Sequence, residues 1–143
     1  MKRMLQKIIV LVEDSAADAR VVTRAIDKLG DPSITVVHHE TAETAMQYFD
    51  SDIVRHADQK QIVLMDLNLP GADGFSFLKQ LKNSPTTKHI PVIVWTTSDQ
   101  PHDIRNSYAG GANSFVTKPM SLRDVTELIK DVCHYWFERA TLA

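Results

Sequence analysis

Five short apolar runs, each followed by a stretch with helical spacing, limit this chain to very few folds. The runs are Ile8 to Val12, Ile34 to Val37, Ile62 to Met65, Val92 to Trp95 and the shorter Phe115-Val116. Between them, apolar residues return every three or four positions, as in a helix buried along one face. Ala19, Val22, Ile26 and Leu29 mark the first helix, which ends at Gly30; Ala42, Ala45, Met46 and Phe49 mark the second. Phe75, Leu78 and Leu81 mark a third that stops before Pro85, after a turn at "LPGADG". Ser98 reads as the N-cap of a fourth helix, with Pro101 in its first turn and Gly110-Gly111 closing it. Ser121 with Asp124 forms a capping-box pattern ahead of a fifth helix, which carries Val125, Leu128, Ile129, Val132 and Trp136 on one side. Asp50 to Lys60 is polar and has no clear pattern. Strand and helix in strict alternation predict an α/β fold, with a parallel sheet covered on both faces and right-handed crossovers.

Composition narrows the classes of function. With 143 residues, 43% hydrophobic and 24% charged, the chain suits one globular domain over residues 1–143, with no repeat or linker. The formal charge is -2 with both signs interspersed, which argues against nucleic acid as a partner. Cys133 is the single cysteine, so no intramolecular disulfide exists and a reducing compartment is expected. No segment approaches the ~20 apolar residues of a membrane span, and Ile8 to Val12 runs too soon into Glu13-Asp14 for a signal peptide. A cytoplasmic protein without membrane contact is the expectation.

Ligands of open α/β sheets bind beyond the carboxyl ends of the strands. There the runs close on Glu13-Asp14, Asp66, Thr96 and Thr117-Lys118-Pro119. Taken singly, each has an ordinary reading: acids at a strand-to-loop transition, an Asx turn before Pro70, a β-branched strand residue, a solvated turn lysine. Their coincidence on one edge asks for more. Clustered carboxylates repel, so they either rise in pKa or gather around a cation. Mg²⁺ takes one or two carboxylates, keeps waters, and completes its shell with a phosphate oxygen. Lys118 adds a second positive centre and Thr96 a hydroxyl, a set suited to phosphoryl transfer. With Glu13 and Asp14 on the metal, Asp66 is free to attack phosphorus and become an acyl phosphate.

In order and spacing, "VLVEDSAADARVV", "VLMDLNLPGADGF", "PVIVWTTSD" and "GANSFVTKP" resemble the motifs of bacterial two-component response-regulator receiver domains. The resemblance runs from about Ile8 to the last helix. It implies a flavodoxin-like sheet of order 2-1-3-4-5 with five helices. It further implies a phosphoacceptor at Asp66 and Mg²⁺ bound through Asp14, Asp66 and the backbone carbonyl of Asn68, with Glu13 acting through water. Lys118 would pair with the phosphoryl group, and Thr96 and Phe115 would form the switch. Such a chain takes phosphoryl from a histidine kinase and catalyses only its own phosphorylation and dephosphorylation. The "ARVV" helix and the tail "YWFERATLA" look most like stand-alone receivers that partner phytochrome-type histidine kinases. Thr97 stands where a small residue is frequent, Phe115 replaces a frequent tyrosine, and Trp95 is bulky for its strand position.

Other readings fit less well. A magnesium-dependent phosphatase places its nucleophile in an Asp-x-Asp after the first strand, which "EDSAAD" does not supply. A flavin module of this topology would set acids against the flavin phosphate. A phosphorelay shuttle remains open, since no output domain is expected after the receiver. Residues 134–143 are expected to prolong the last helix as an extended helix and tail. Tyr135, Trp136 and Phe137 are consecutive and cannot all face one core, so they are expected at a homodimer interface.

Overall fold

Valine and isoleucine dominate the runs that become strands, because branching at Cβ suits the pleated backbone better than the helix. A computed structural model describes residues 6–51, 59–70 and 74–143. It contains strands β1 (Gln6–Val12), β2 (Ile34–His39), β3 (Gln59–Met65), β4 (Val92–Thr96) and β5 (Ser114–Thr117). Between and after them lie helices α1 (Ala16–Lys28), α2 (Ala42–Asp50), α3 (Gly74–Asn83), α4 (Pro101–Ala109) and α5 (Leu122–Cys133). All strand pairs are parallel and the order is β2-β1-β3-β4-β5, the expected flavodoxin-like arrangement. Of the turn expected at "LPGADG", residues 71–73 lie outside the described residues, as does most of the polar stretch after Asp50.

Successive side chains of a strand point to opposite faces. Val10, Val12, Val63, Met65, Val92 and Val94 therefore pack on one side, against Ala45 and Phe49 of α2 and Phe77, Leu78 and Leu81 of α3. On the other side, Ile9, Leu11, Ile62, Leu64, Ile93 and Trp95 meet Val22 and Ile26 of α1 and Val125 and Ile129 of α5. One step past the last residues of β1 and β3, the same alternation turns Glu13 and Asp66 toward the face that holds Trp95.

Gly74 opens α3 where only hydrogen fits. A Cβ there would sit 2.6 Å from the carbonyl oxygen of Leu67, the residue directly after Asp66. Gly111 adopts φ +104 after α4, in the left-handed region that glycine tolerates.

Two local expectations need correction. The N-cap of α4 is Gln100 rather than Ser98, and it makes no side-chain cap bond. The Ser98 hydroxyl instead donates to the Asp103 carboxylate while accepting from the Gln100 amide, so it braces the helix from one residue pair upstream.

The last helix does not continue to its end as an α-helix. After Cys133 it widens into a π-helical turn, His134–Arg139, closed by the Ala140 amide donating to the Tyr135 carbonyl at 2.7 Å. At about 100° per residue, an unbroken α-helix would carry Phe137 about 120° away from Val125. The wider turn, with its i→i+5 bonding, winds back part of that drift. Val125, Ile129, Cys133 and Phe137 consequently share the buried stripe, and Phe137 is 2% exposed. Phe137 belongs to the chain's own core, which corrects its expected place between two copies. Tyr135 is exposed and Trp136 half-buried, with their rings edge to face. Cys133 is buried in the same cluster as Phe137, and burial pushes its thiol pKa up to about 12, so it packs as an apolar residue.

Candidate functional site

The register of the sheet brings the site together before any side-chain bond is made. Val12 of β1 lies level with Met65 of β3, and the Asp66 amide donates to the Val12 carbonyl at 3.0 Å. Glu13 and Asp66 thus leave neighbouring strands at the same height. The Glu13 amide continues the β2 ladder through the His39 carbonyl, while His38 Nε2 donates to the Glu13 carbonyl at 2.7 Å. One carboxylate oxygen from each of Glu13, Asp14 and Asp66 lies within 4.8 Å of the others.

Lys118 follows β5, where its amide donates to the Thr96 carbonyl at 2.7 Å. Its side chain crosses the sheet edge and donates to Glu13 Oε1 at 2.6 Å, Asp18 Oδ2 at 2.8 Å and Asp66 Oδ2 at 2.8 Å. All three ammonium protons are engaged. Burial works against the charged amine, but the bonds to Asp18, Asp66 and Glu13 outweigh it and hold the pKa above the ordinary lysine value.

Glu13 is the most enclosed member, with its side chain 0% exposed. Its Oε1 also accepts from the indole of Trp95 at 3.1 Å, and Oε2 accepts from the Ser15 amide at 3.2 Å. Burial nevertheless raises its pKa; the hydrogen bond and charge of Lys118 and the Ser15 amide offset only part of the effect. Trp95 also lies beneath the ammonium, 5.0 Å from ring centroid to Nζ, within cation–π range. The bulk noted at this position therefore serves the site.

Asp14 is exposed, whereas Asp66 is only 5% exposed. Asp66 Oδ1 accepts from the Asn68 amide at 3.1 Å, which fixes the carboxylate beside the other two acids. A hard divalent cation matches this all-oxygen set, with Asp14 as the ligand open to water.

Thr96 is fully buried at the end of β4, and its hydroxyl accepts from the Ser98 amide at 3.3 Å. Thr97 is exposed. Phe115 is half-buried against the core beneath α3, and its amide donates to the Tyr108 hydroxyl at 3.1 Å. The structure therefore gathers Glu13, Asp14, Asp66, Asn68, Thr96 and Lys118 at one edge. Phe115 stands on the outermost strand, and Tyr135 to Phe137 lie beyond α5 at the opposite end.

Sequence reasoning passed over two contributors. Asp18 stands in the first turn of α1, whose start is fixed by Ser15 Oγ accepting the Asp18 amide at 3.2 Å. Its nearness to Asp14 in "EDSAAD" was the available signal. Trp95 showed itself only as an oversized residue.

Acids and one lysine at the carboxyl edge of a 2-1-3-4-5 sheet define a receiver of two-component signalling. The chain belongs to the response regulator receiver domain family, whose profile matches residues 9–130. It is 33% identical over 137 residues to response regulator Rcp1 from Synechocystis sp., spanning 95% of this chain and 92% of that one. It is 34% identical over 129 residues to the "Probable methanogenesis regulatory protein FilR2" of Methanothrix harundinacea, spanning 90% of this chain and 83% of the other. The crystal structure of the phosphorylated cyanobacterial phytochrome response regulator RcpA superposes with a TM-score of 0.84 at 34% identity, over 96% of this chain and 98% of that one. The Mn²⁺-bound form of Rcp1 does so at 0.82 and 31% identity, over 96% and 99%. Among the described residues, no helix is long and apolar enough to cross a membrane.

Proposed function

We propose that this chain is a phosphoaccepting switch in which Asp66 takes a phosphoryl group from a histidine kinase. One observation carries the reading: Asp66 closes the central buried strand, 2.8 Å from Lys118 and grouped with the carboxylates of Glu13 and Asp14. Asp14, Asp66 and the Asn68 carbonyl would hold Mg²⁺, with Glu13 acting through water, and Mn²⁺-bound Rcp1 supports a divalent ion in such a pocket. When bound, the ion offsets the charge of the phosphoryl oxygens. The chain's own residues do the rest. The Asn68 amide orients the Asp66 carboxylate, and Lys118 supplies a positive centre to the transferred group. The Thr96 hydroxyl, now held by the Ser98 amide, can turn to a phosphoryl oxygen and hand the change to Phe115 on β5. The protein turns over no external substrate.

Likeness to RcpA supports a phytochrome-type kinase as donor, although FilR2 is as similar in sequence. A panel of histidine kinases, each first autophosphorylated with labelled ATP, tests the donor. Transfer to this chain should be fastest from a phytochrome-type kinase. Equal or faster transfer from unrelated kinases rejects the pathway, and transfer from none rejects the function. Backward transfer to a histidine phosphotransfer protein would favour the relay alternative.

Exposed Tyr135 and its partner Trp136 support a two-fold dimer through the end of the last helix. Light scattering at concentrations on the order of tens of micromolar should give twice the chain mass, and Tyr135→Asp should shift it toward monomer. A monomeric unaltered chain, with and without phosphoryl donor, rejects the dimer.

A further inference from the structure

Three carboxylates share Lys118, yet they are not equivalent. Glu13 is sealed in, with its side chain 0% exposed, so a Glu13 carboxylate without its cation would be an unpaired buried charge. The Asp66 side chain is 7% exposed and, on the reading above, gives up its negative charge when an oxygen bonds to phosphorus. The Asp18 side chain is 41% exposed and stands on α1 rather than on the sheet. Among the described contacts, its carboxylate has one partner, the ammonium of Lys118. It can return to water at little cost.

A phosphoryl group on Asp66 brings two or more anionic oxygens to the ammonium, which then has more acceptors than protons. Glu13 cannot be abandoned, and the phosphoryl group is the stronger acceptor. The bond to Asp18 is the one to yield. We propose that Asp18 is a positioning residue that straps Lys118 to α1 in the resting state and competes with the phosphoryl group for the ammonium. It thereby slows phosphorylation of Asp66 and frees the first turn of α1 once that residue is modified.

This rests on Asp66 being the acceptor, and the experiment separates the two claims. Labelling rates are measured for the unaltered chain, Asp18→Asn and Asp18→Glu, with acetyl phosphate, a dianionic donor, and phosphoramidate, a monoanionic one. Neutralising Asp18 should raise the rate about two- to fivefold, the range of a partly exposed ion pair. The gain should be the same for both donors, and Asp18→Glu should return the rate to that of the unaltered chain. A general loss of repulsion between protein and donor would instead give a clearly larger gain with the dianion. That result overturns the proposal, as does an unchanged or slower Asp18→Asn. If the unaltered chain acquires no label at Asp66, the acceptor assignment fails first, and the strap falls with it.

Discussion

Asp66→Asn should leave the chain unlabelled by acetyl phosphate or phosphoramidate, and EDTA should do the same to the unaltered chain. The carboxylate forms a bond from oxygen to phosphorus while the donor's own bond to phosphorus breaks and its electrons leave with acetate or ammonia. An amide in the same place is a poor nucleophile. The substitution is close to isosteric, its oxygen can still accept from the Asn68 amide, and Lys118 keeps Glu13 and Asp18 as partners. The fold should therefore survive while labelling falls from near-stoichiometric to background. The chelator acts by another route. Without a cation, an anionic donor must approach Glu13, Asp14 and Asp66 with only one ammonium to offset them. Intact-mass spectrometry with peptide mapping reads both results. A phosphoryl adduct that persists in Asp66→Asn, or that forms equally in EDTA, contradicts the assignment.

The sheet was legible in the sequence because short unbroken apolar runs rich in β-branched residues mark strands covered on both faces, and Ile62–Met65 is buried at every position. The edge that would hold a ligand followed from topology, so the ends of β1, β3, β4 and β5 could be inspected before their side chains were placed. What stayed hidden depends on partners far apart in the chain. Asp18 and Lys118 are 100 positions apart, and Trp95 lies 82 positions from Glu13. No local period records such pairs. The tail was misjudged for a different reason: a 3.6-residue period was carried past Cys133, where the backbone leaves it. Ser98 misled because serine upstream of a helix can bond to the carboxylate of the first turn as well as to its amides, and here it does so through Asp103.

Removing Lys118 should be far more costly to the fold than its solvent-edge position suggests, and the cost should depend on pH. In Lys118→Ala, Glu13 keeps the Trp95 indole and the Ser15 amide but loses its cation, with its side chain still 0% exposed. Breaking a buried pair from one side costs about 3–5 kcal/mol. The Glu13 pKa is already raised in the folded state by burial, and loss of the lysine's hydrogen bond and charge must raise it further. A carboxyl group whose folded pKa exceeds its unfolded value makes the folded state bind more protons, so its contribution to stability is fullest below the unfolded pKa and is lost as pH rises through the folded one. Lys118 itself stays charged throughout the neutral range, because its own folded pKa is raised. The stability gap between Lys118→Ala and the unaltered chain should therefore be widest near neutrality and narrow on acidification toward the Glu13 unfolded value, near 4.5. Urea titrations in EDTA, repeated at pH steps between those limits, measure it without a bound cation. Trp95 sits against both Glu13 and Lys118 and offers its fluorescence as the probe. A gap that stays constant with pH, or that widens on acidification, would mean that Glu13 is not the group Lys118 keeps ionised.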